Sequence, residues 1–284
     1  MSVPIVQAPR RREPVFNVPG VVAALIAIFV GIQLARSLLS EELDFRLIFE
    51  FSFVPARLDL GLTPQQFATA LAQSVQGLPR EAAEMRIALG QLIYADGGLK
   101  PWTLLTYALL HASWTHVLLN SAWLLAFGSP VARRFGTARF LAFFAVSAVA
   151  GALAHAIGHG MDVTPMVGAS GAISGCMAAA ARFIFQRGVM LFGAERERIH
   201  QARAQPLLVL LKDRRALLFM LSWFGINLLF GLAAGPLGIT DSAIAWQAHI
   251  GGFVAGLLLF PLFDPAPRIE APGPLSEGME TPDR

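Results

Sequence analysis

Hydrophobic positions along the chain gather into six long stretches, separated by polar or charged segments. The stretches are residues 18–39, 113–131, 137–157, 168–187, 215–235 and 244–263. Each approaches or reaches the length of about 20 residues that an α-helix needs to cross a bilayer. The pattern predicts an all-α membrane protein with a six-transmembrane-helix bundle. Because the first stretch is too long for the core of a signal peptide, we interpret it as a retained anchor.

Composition agrees with this interpretation. Hydrophobic residues make up 55% of the chain, charged residues only 14%, and the mean hydropathy is +0.57. These values lie far from those of a soluble domain. The net charge is +3, but the basic residues cluster in short loops, which indicates membrane topology, and we expect no nucleic-acid partner. The single cysteine, Cys176, excludes a disulfide framework and a cysteine-based metal site.

The positions of Lys and Arg predict how the chain is oriented, because these residues collect on the cytoplasmic side. Basic residues precede the first span, follow the second and fill the loop between the fourth and fifth, whereas the opposite loops are poor in them. We therefore expect a cytoplasmic N-terminus (1–17), a membrane domain (18–263) and a disordered cytoplasmic tail (264–284). Both termini would be cytoplasmic, in a multi-pass protein of a bacterial plasma (inner) membrane.

The longest polar interval, residues 41–100, is predicted to be a long first outer loop. Thr63-Pro64 is typical of a helix start, an amphipathic stretch continues to about Tyr94, and Asp96-Gly97-Gly98 predicts a turn. We expect a partly helical loop that lies against the membrane surface, since the segment is too small for a separate soluble domain.

Four polar residues within the spans are candidates for chemistry, because polar groups inside a bilayer are costly. They are Ser170, His249, His116 and Asn120. Spans two, four and six all enter from the outer face, so positions near their starts lie at similar depth. At 1.5 Å per residue, all four lie within roughly 12 Å of the outer ends of their spans.

These residue types fit nucleophilic catalysis. A serine hydroxyl needs a neighbouring base, and a neutral imidazole acts as one near neutral pH. His116 and Asn120, at i and i+4, share one helix face from which donors can stabilise an oxyanion. No Asp or Glu lies within the six spans, which predicts a dyad, argues against an aspartyl protease and disfavours a proton-coupled transporter. The absence of HExxH argues against a zinc site.

Glycines near these residues predict close helix packing around the site. Gly171 and Gly175 form a GxxxG pair in span four, as do Gly252 and Gly256 in span six. Gly168 precedes the candidate serine.

Each polar residue also has an ordinary packing explanation, because a lone serine, histidine or asparagine in a span often serves helix packing. Only the four at one depth are assigned chemistry. The remaining polar candidates are interpreted as structural, loop or packing residues, or as supporting partners at best: His111, His155, His159, His200, Ser174, Asn227 and Gln247.

Three motifs, in this order and topology, resemble the rhomboid family of intramembrane serine proteases. They are HASWTHVLLN (111–120), GASGAISG (168–175) and AHIGGFVAG (248–256), joined by FGTARFL (135–141). The resemblance implies that Ser170 is the nucleophile, His249 its base, and His116 and Asn120 oxyanion partners. It also implies a water-filled cavity that opens outward, no cofactor, and substrates that are single-pass or other transmembrane proteins arriving from the lipid bilayer.

Three positions depart from the family pattern. Thr103 follows Trp102 where many bacterial members have arginine, Ser174 stands where many have an aromatic residue, and no glutamate occurs at 132–134. None of these positions is a member of the dyad.

The sequence therefore predicts a serine-type intramembrane endopeptidase without metal or cofactor. One alternative is a catalytically silent rhomboid-like protein that binds membrane clients, although such a protein typically lacks the serine or the histidine. The other is a transporter, for which inverted repeats and polar groups spread along a pathway are expected.

Overall fold

The computed structural model describes residues 18–58, 62–185, 204–233 and 245–265. The predicted N-terminal segment 1–17, most of the basic loop between spans four and five, the outer loop 236–243 and the tail beyond residue 265 lie outside the described residues. In the described part, α-helices alternate with short turns, and Phe53 and Met166 form an isolated β-bridge with no named strand around it. The predicted all-α class is confirmed.

Twelve α-helices are labelled here in chain order. They are α1 Gly20–Arg36, α2 Glu41–Phe51, α3 Pro64–Ser74, α4 Arg80–Ala95, α5 Thr103–Thr106, α6 Trp114–Trp123, α7 Ser129–Phe135, α8 Thr137–Ala156, α9 Ser170–Ile184, α10 Leu207–Leu210, α11 Arg214–Ala233 and α12 Trp246–Phe263. Short 3₁₀ helices occur at Pro55–Arg57 and Tyr107–Leu109. A π-helical turn, Leu124–Gly128, joins α6 to α7 within the second predicted span.

Two described helices, α8 and α12, are long and apolar enough to cross a membrane, and α1 and α9 are shorter apolar helices. These four lie within the first, third, fourth and sixth predicted spans. The α6–α7 pair and α11 occupy the second and fifth. The count of six membrane crossings stays a prediction.

The centre of the bundle is the packing of α8, α9 and α12 against one another. Glycines allow the backbones of α9 and α12 to approach closely: a Cβ placed on Gly256 would lie 2.4 Å from the carbonyl oxygen of Gly175. Small residues at such a contact let two helices pack by van der Waals contact without intervening side chains.

The end of the bundle away from Ser170 is held by arginines. Arg134 at the end of α7 makes a two-point ion pair with Asp264, which follows α12, at 2.6 and 2.9 Å. Arg182, in the last turn of α9, donates to the carbonyl oxygen of Leu257 at 3.1 Å. Both guanidinium groups lie near the ring of Phe260. These contacts connect the ends of α7, α9 and α12.

The outer segment contains more helical structure than its sequence pattern indicates. Thr63 caps α3 through a capping box with Gln66, as the Thr63-Pro64 signal predicts. The amphipathic stretch to Tyr94 is divided into two helices, since Gly77 has a φ of +81° and Pro79 precedes α4. The predicted turn follows α4, with Gly97 and Gly98 both at positive φ.

The outer segment packs on the loop that leads to Ser170. A separate hydrophobic cluster joins residues of α2, α3 and α4 to Val163. Phe53 and Met166 exchange backbone hydrogen bonds at 3.1 and 2.8 Å, and the amide of Ala56 donates to the carbonyl of Asp162 at 3.0 Å. Arg86 of α4 forms an ion pair with Asp162 at 3.4 Å. The segment is therefore fastened to residues 161–166 at several points.

Candidate active site

Ser170 and His249 meet across the interface between α9 and α12. Ser170 is the first residue of α9, and His249 lies in the first turn of α12. The distance from His249 Nε2 to Ser170 Oγ is 2.7 Å, within the range of 2.6 to 3.2 Å at which a base can take a proton directly. Both side chains are half-buried. The sequence predicts that both residues lie near the outer ends of their spans, and their catalytic role stays a prediction.

A glycine next to Ser170 allows Ser170 and His249 to approach each other. Gly171 directly follows Ser170, and a Cβ at Gly171 would lie 3.2 Å from the carbonyl oxygen of Ala248, the residue before His249. The same Cβ would lie 3.2 Å from the hydroxyl of Tyr107, which donates to the carbonyl of Ala148 in α8. The backbones next to Ser170 and His249 are thus in contact, and this contact fixes the distance between the side chains of Ser170 and His249.

His116 and Asn120 lie on α6, beside the start of α9. The His116 ring lies over Gly168, because a Cβ at Gly168 would be only 2.6 Å from His116 Cε1. Gly168 itself has a φ of +125°, a conformation that favours glycine. His116 Nδ1 accepts from the amide of Ala112 at 3.4 Å, so in the neutral ring Nε2 carries the proton.

Asn120 is buried and uses part of its donor capacity locally. Its Nδ2 donates to the carbonyl of His116, one turn earlier, at 3.1 Å. An amide nitrogen has two hydrogens, so one remains for another acceptor. Asn120 lines the same cavity as Ser170 and His249. The oxyanion role predicted for His116 and Asn120 is compatible with these positions and stays a prediction.

The cavity beside Ser170 has a volume of about 310 Å³ and mostly apolar walls. Helices α6, α9 and α11 enclose it, with His249 contributed by α12. Trp123, Ile173, Met177, Phe219 and Trp223 form much of its apolar lining. A cavity with a few converging polar groups among apolar walls is typical of a ligand or substrate site.

Asn227 is a polar residue of this site whose sequence context indicates no chemical role. It lies on α11, and its Oδ1 is 2.5 Å from His249 Nδ1. Its Nδ2 donates to the carbonyl of Trp223 at 2.8 Å. The only sequence signal was that asparagine is costly in an apolar span. Spacing gave no indication of a contact with a histidine 22 positions away.

The positions that depart from the family pattern have identifiable contacts. Ser174 is buried and donates to the carbonyl of Ser170 at 2.7 Å, so its hydroxyl bonds to its own helix. Trp102 Nε1 donates to the carbonyl of Glu50 at 3.2 Å, and the Thr103 hydroxyl donates to the carbonyl of Lys100 at 2.6 Å. Residues 102 and 103 thus interact with the outer segment and the turn before α5.

The other described histidines lie around the site. His111 is fully buried, and its ring meets that of His116 edge to face at 5.1 Å. His155 stacks on His159, and Gln247 lies 3.3 Å from His159 Nε2. In the described residues, no group of three or more histidine, cysteine or acidic side chains has the arrangement of a metal site. That the protein uses no metal or cofactor stays a prediction.

Comparison with known proteins shows the family. The Rhomboid domain model matches residues 99–264, more than half of the chain. The chain belongs to the rhomboid family. As a member of this family, the chain is an integral membrane protein, and two of its described helices are long and apolar enough to span a bilayer.

Relatives of this rhomboid chain occur in bacteria. It is 30% identical over 161 residues to the rhomboid protease GlpG of Pectobacterium atrosepticum, covering 57% of this chain and 48% of that one. It is 34% identical over 143 residues to the putative rhomboid protease YdcA of Bacillus subtilis, covering 48% and 64%. The chain thus spans about half to just under two thirds of the length of these relatives.

Proposed function

We propose that the chain is an intramembrane serine endopeptidase that hydrolyses peptide bonds in or near the transmembrane segments of other membrane proteins. The observation that carries the proposal is the 2.7 Å contact between His249 Nε2 and Ser170 Oγ beside a mostly apolar cavity. The relatives' names as rhomboid proteases support the reaction class. The substrates would be single-pass or other transmembrane proteins that reach the site from the bilayer.

In the proposed reaction, His249 Nε2 takes the Ser170 proton as the serine oxygen attacks the substrate carbonyl carbon. The negative charge that develops on the carbonyl oxygen would be stabilised by donors from His116 and Asn120. His249 then gives the proton to the leaving amine, and an ester joins Ser170 to the substrate's acyl part. Water, activated by the same imidazole, hydrolyses the ester and restores the serine.

The burial of the pair supports this chemistry. The imidazole is half-buried between α9 and α12, while the cavity leaves Ser170 accessible from one side. A neutral imidazole is the form that accepts a proton. The bacterial relatives support a location in a bacterial plasma membrane, and the loop charges support cytoplasmic positions for both termini.

The deciding experiment is cleavage of a single-span model substrate in liposomes by the wild type, Ser170→Ala and His249→Ala. Loss of cleavage in both variants, with unchanged thermal unfolding, is the expected result. Ser174→Ala is the matched control, since it makes the same change on the same helix one turn away and removes only a bond to the Ser170 carbonyl. It should retain most of the activity.

A fluorophosphonate probe gives a second readout, because it reacts with activated serines without needing a natural substrate. Labelling that requires both Ser170 and His249 is expected. Cleavage that persists in both alanine variants would refute the assignment. A wild type that neither cleaves several substrates nor reacts with the probe would favour the silent, client-binding alternative.

A further inference from the structure

His249 has a hydrogen-bond partner on each ring nitrogen. Nε2 lies 2.7 Å from Ser170 Oγ, and Nδ1 lies 2.5 Å from Asn227 Oδ1. Asn227 is half-buried on α11, a helix other than the two that carry the serine and the histidine. Three separate helices thus contribute one side chain each to a continuous line of hydrogen bonds.

The second contact of Asn227 sets which end of its amide faces the imidazole. Nδ2 donates to the carbonyl oxygen of Trp223 at 2.8 Å. In a flipped amide, Oδ1 of Asn227 would face the carbonyl oxygen of Trp223, and two acceptors would meet without a hydrogen between them. The observed hydrogen bond therefore holds Oδ1 toward His249. Because an amide oxygen only accepts, Nδ1 must carry the proton. The lone pair of the neutral ring is then on Nε2, which faces Ser170.

Packing around Trp223 supports the position of this amide. The Trp223 ring stacks on Phe253 of α12 with centroids 4.4 Å apart and planes 18° from parallel. Phe253 lies one turn after His249. Trp223, whose carbonyl accepts from the Asn227 amide, is therefore packed against α12, the helix that carries His249. This contact fixes the position of α11 relative to α12.

We propose that Asn227 is a positioning residue that holds the tautomer and the ring orientation of His249, so that the site is a Ser170–His249–Asn227 triad rather than a dyad. This inference rests on the proposed function. In the reaction, the Ser170 proton moves to Nε2, while the proton on Nδ1 stays in its bond to Asn227 and the amide remains neutral. The third group of serine hydrolases works in the same way, as an orienting acceptor that does not take the proton.

Replacement of Asn227 tests the proposal by kinetics. Asn227→Leu removes the acceptor at nearly constant size and should lower kcat about two- to tenfold, the range for loss of one neutral hydrogen bond, with KM nearly unchanged. Asn227→Asp retains an acceptor and should have a higher kcat than the leucine variant. Gly225→Ala is the control, because Gly225 lies on the same helix two positions before Asn227 and a Cβ there would meet nothing within 4 Å. It should behave like the wild type.

The outcomes separate this inference from the proposed function. Suppose that cleavage depends on Ser170 and His249. If Asn227→Leu then retains the wild-type kcat, or if the leucine and aspartate variants at position 227 are equally slow, only the positioning role of Asn227 is overturned. If the wild type neither cleaves nor reacts with the probe, the proposed function fails and the kinetic role of Asn227 fails with it.

Nitrogen NMR of protein labelled at histidine gives a readout that does not need activity. His249→Gln identifies the His249 signals among those of the six histidines. The expected spectrum of the wild type at neutral pH has the proton on Nδ1, and in Asn227→Leu this preference is lost. A wild-type ring with its proton on Nε2 would overturn the proposal, even if Asn227→Leu fails to fold.

Discussion

Gly252 of α12 lies directly against Gly171 of α9, so that a Cβ placed on Gly252 would be 1.9 Å from the Gly171 carbonyl oxygen. No side chain fits at this distance without a backbone shift. Because Gly171 follows Ser170 and Gly252 lies one turn after His249, the contact determines the separation of the two candidate catalytic side chains.

We therefore expect Gly252→Ala to destabilise the protein and to separate Ser170 from His249. Overpacking of a well-packed interface typically costs about 1 to 3 kcal/mol. Thermal unfolding in detergent and probe labelling of Ser170 measure the two effects. Gly31→Ala in α1 is the control, because its Cβ would meet nothing within 4 Å. Equal unfolding temperatures for the two variants would contradict the close approach.

His116 and Asn120 are expected to act on kcat rather than on KM. A donor that stabilises the oxyanion is used mainly in the transition state, and loss of one lowers kcat by roughly 10²- to 10³-fold in water-excluded sites. His116→Ala and Asn120→Ala should each lower kcat while KM changes little. Ser121→Ala controls for a change on the same helix, since the buried Ser121 hydroxyl has no hydrogen-bond partner among the described residues. A raised KM with unchanged kcat would assign these side chains to substrate binding instead.

Asp96 should make the outer segment sensitive to acid. Burial acts to raise the pKa of its carboxyl, but hydrogen bonds from Lys100 and Arg57 and the charges of both outweigh burial and hold the pKa below its ordinary value. Arg57 Nη1 and Lys100 Nζ lie 2.7 and 2.8 Å from the carboxylate. A lowered pKa in the folded state stabilises the fold above the unfolded-state value of about 3.9, and this contribution is lost as the pH falls through the folded-state value.

Protection of the described residues between 41 and 100 from hydrogen exchange, taken relative to the intrinsic rate at each pH, should accordingly fall below about pH 4, near the ordinary aspartate pKa. Asp96→Asn should already show the faster exchange at neutral pH. Glu84→Gln is the control, because Glu84 is exposed and, among the described residues, pairs with Arg80 on the surface of α4. An acid-induced loss of protection of the same size in wild type and Asp96→Asn would assign the transition to another group.

Arg86 should order the loop before Ser170. Its guanidinium donates to the Met161 carbonyl at 3.2 Å and to the Ser74 hydroxyl at 3.1 Å, besides pairing with Asp162. Arg86→Ala should increase hydrogen exchange in residues 158–168 and lower cleavage a few-fold. Arg86→Lys should restore little, because an ammonium lacks the planar fork that reaches several acceptors. Arg80→Ala, on the same helix but exposed, should leave exchange in this loop unchanged.

The helices of the bundle core were the part of the fold that the sequence predicted best. The observed α8 and α12 begin and end within two residues of the predicted spans at 137–157 and 244–263, because long apolar runs leave few alternative boundaries. The π-helical turn at Leu124–Gly128 was not predicted, since a local change of helix type leaves the apolar pattern of span two unaltered. The division into α3 and α4 was missed because the amphipathic pattern continues across Gly77.

In the candidate site, the proximity of Ser170 and His249 could be predicted because both lie near the outer ends of their spans and both belong to family motifs. Asn227 could not be assigned in this way. Its contact with His249 depends on the distance between α11 and α12, which the stacking of Trp223 on Phe253 determines. The spacing of hydrophobic residues along the sequence does not encode this distance. The absence of acids in the spans predicts a site without a carboxylate, and the sequence gives Asn227 a packing or supporting role at best.

Residues 41–98 lie before the region matched by the Rhomboid domain, which begins at residue 99. Their contacts through Phe53, Ala56 and Arg86 nevertheless end on the loop immediately before Ser170. Structural changes in this segment are therefore transmitted directly to the candidate site. If the proposed function holds, substitutions in this segment can alter the rate or selectivity of cleavage from outside the matched domain, without any change to Ser170 or His249.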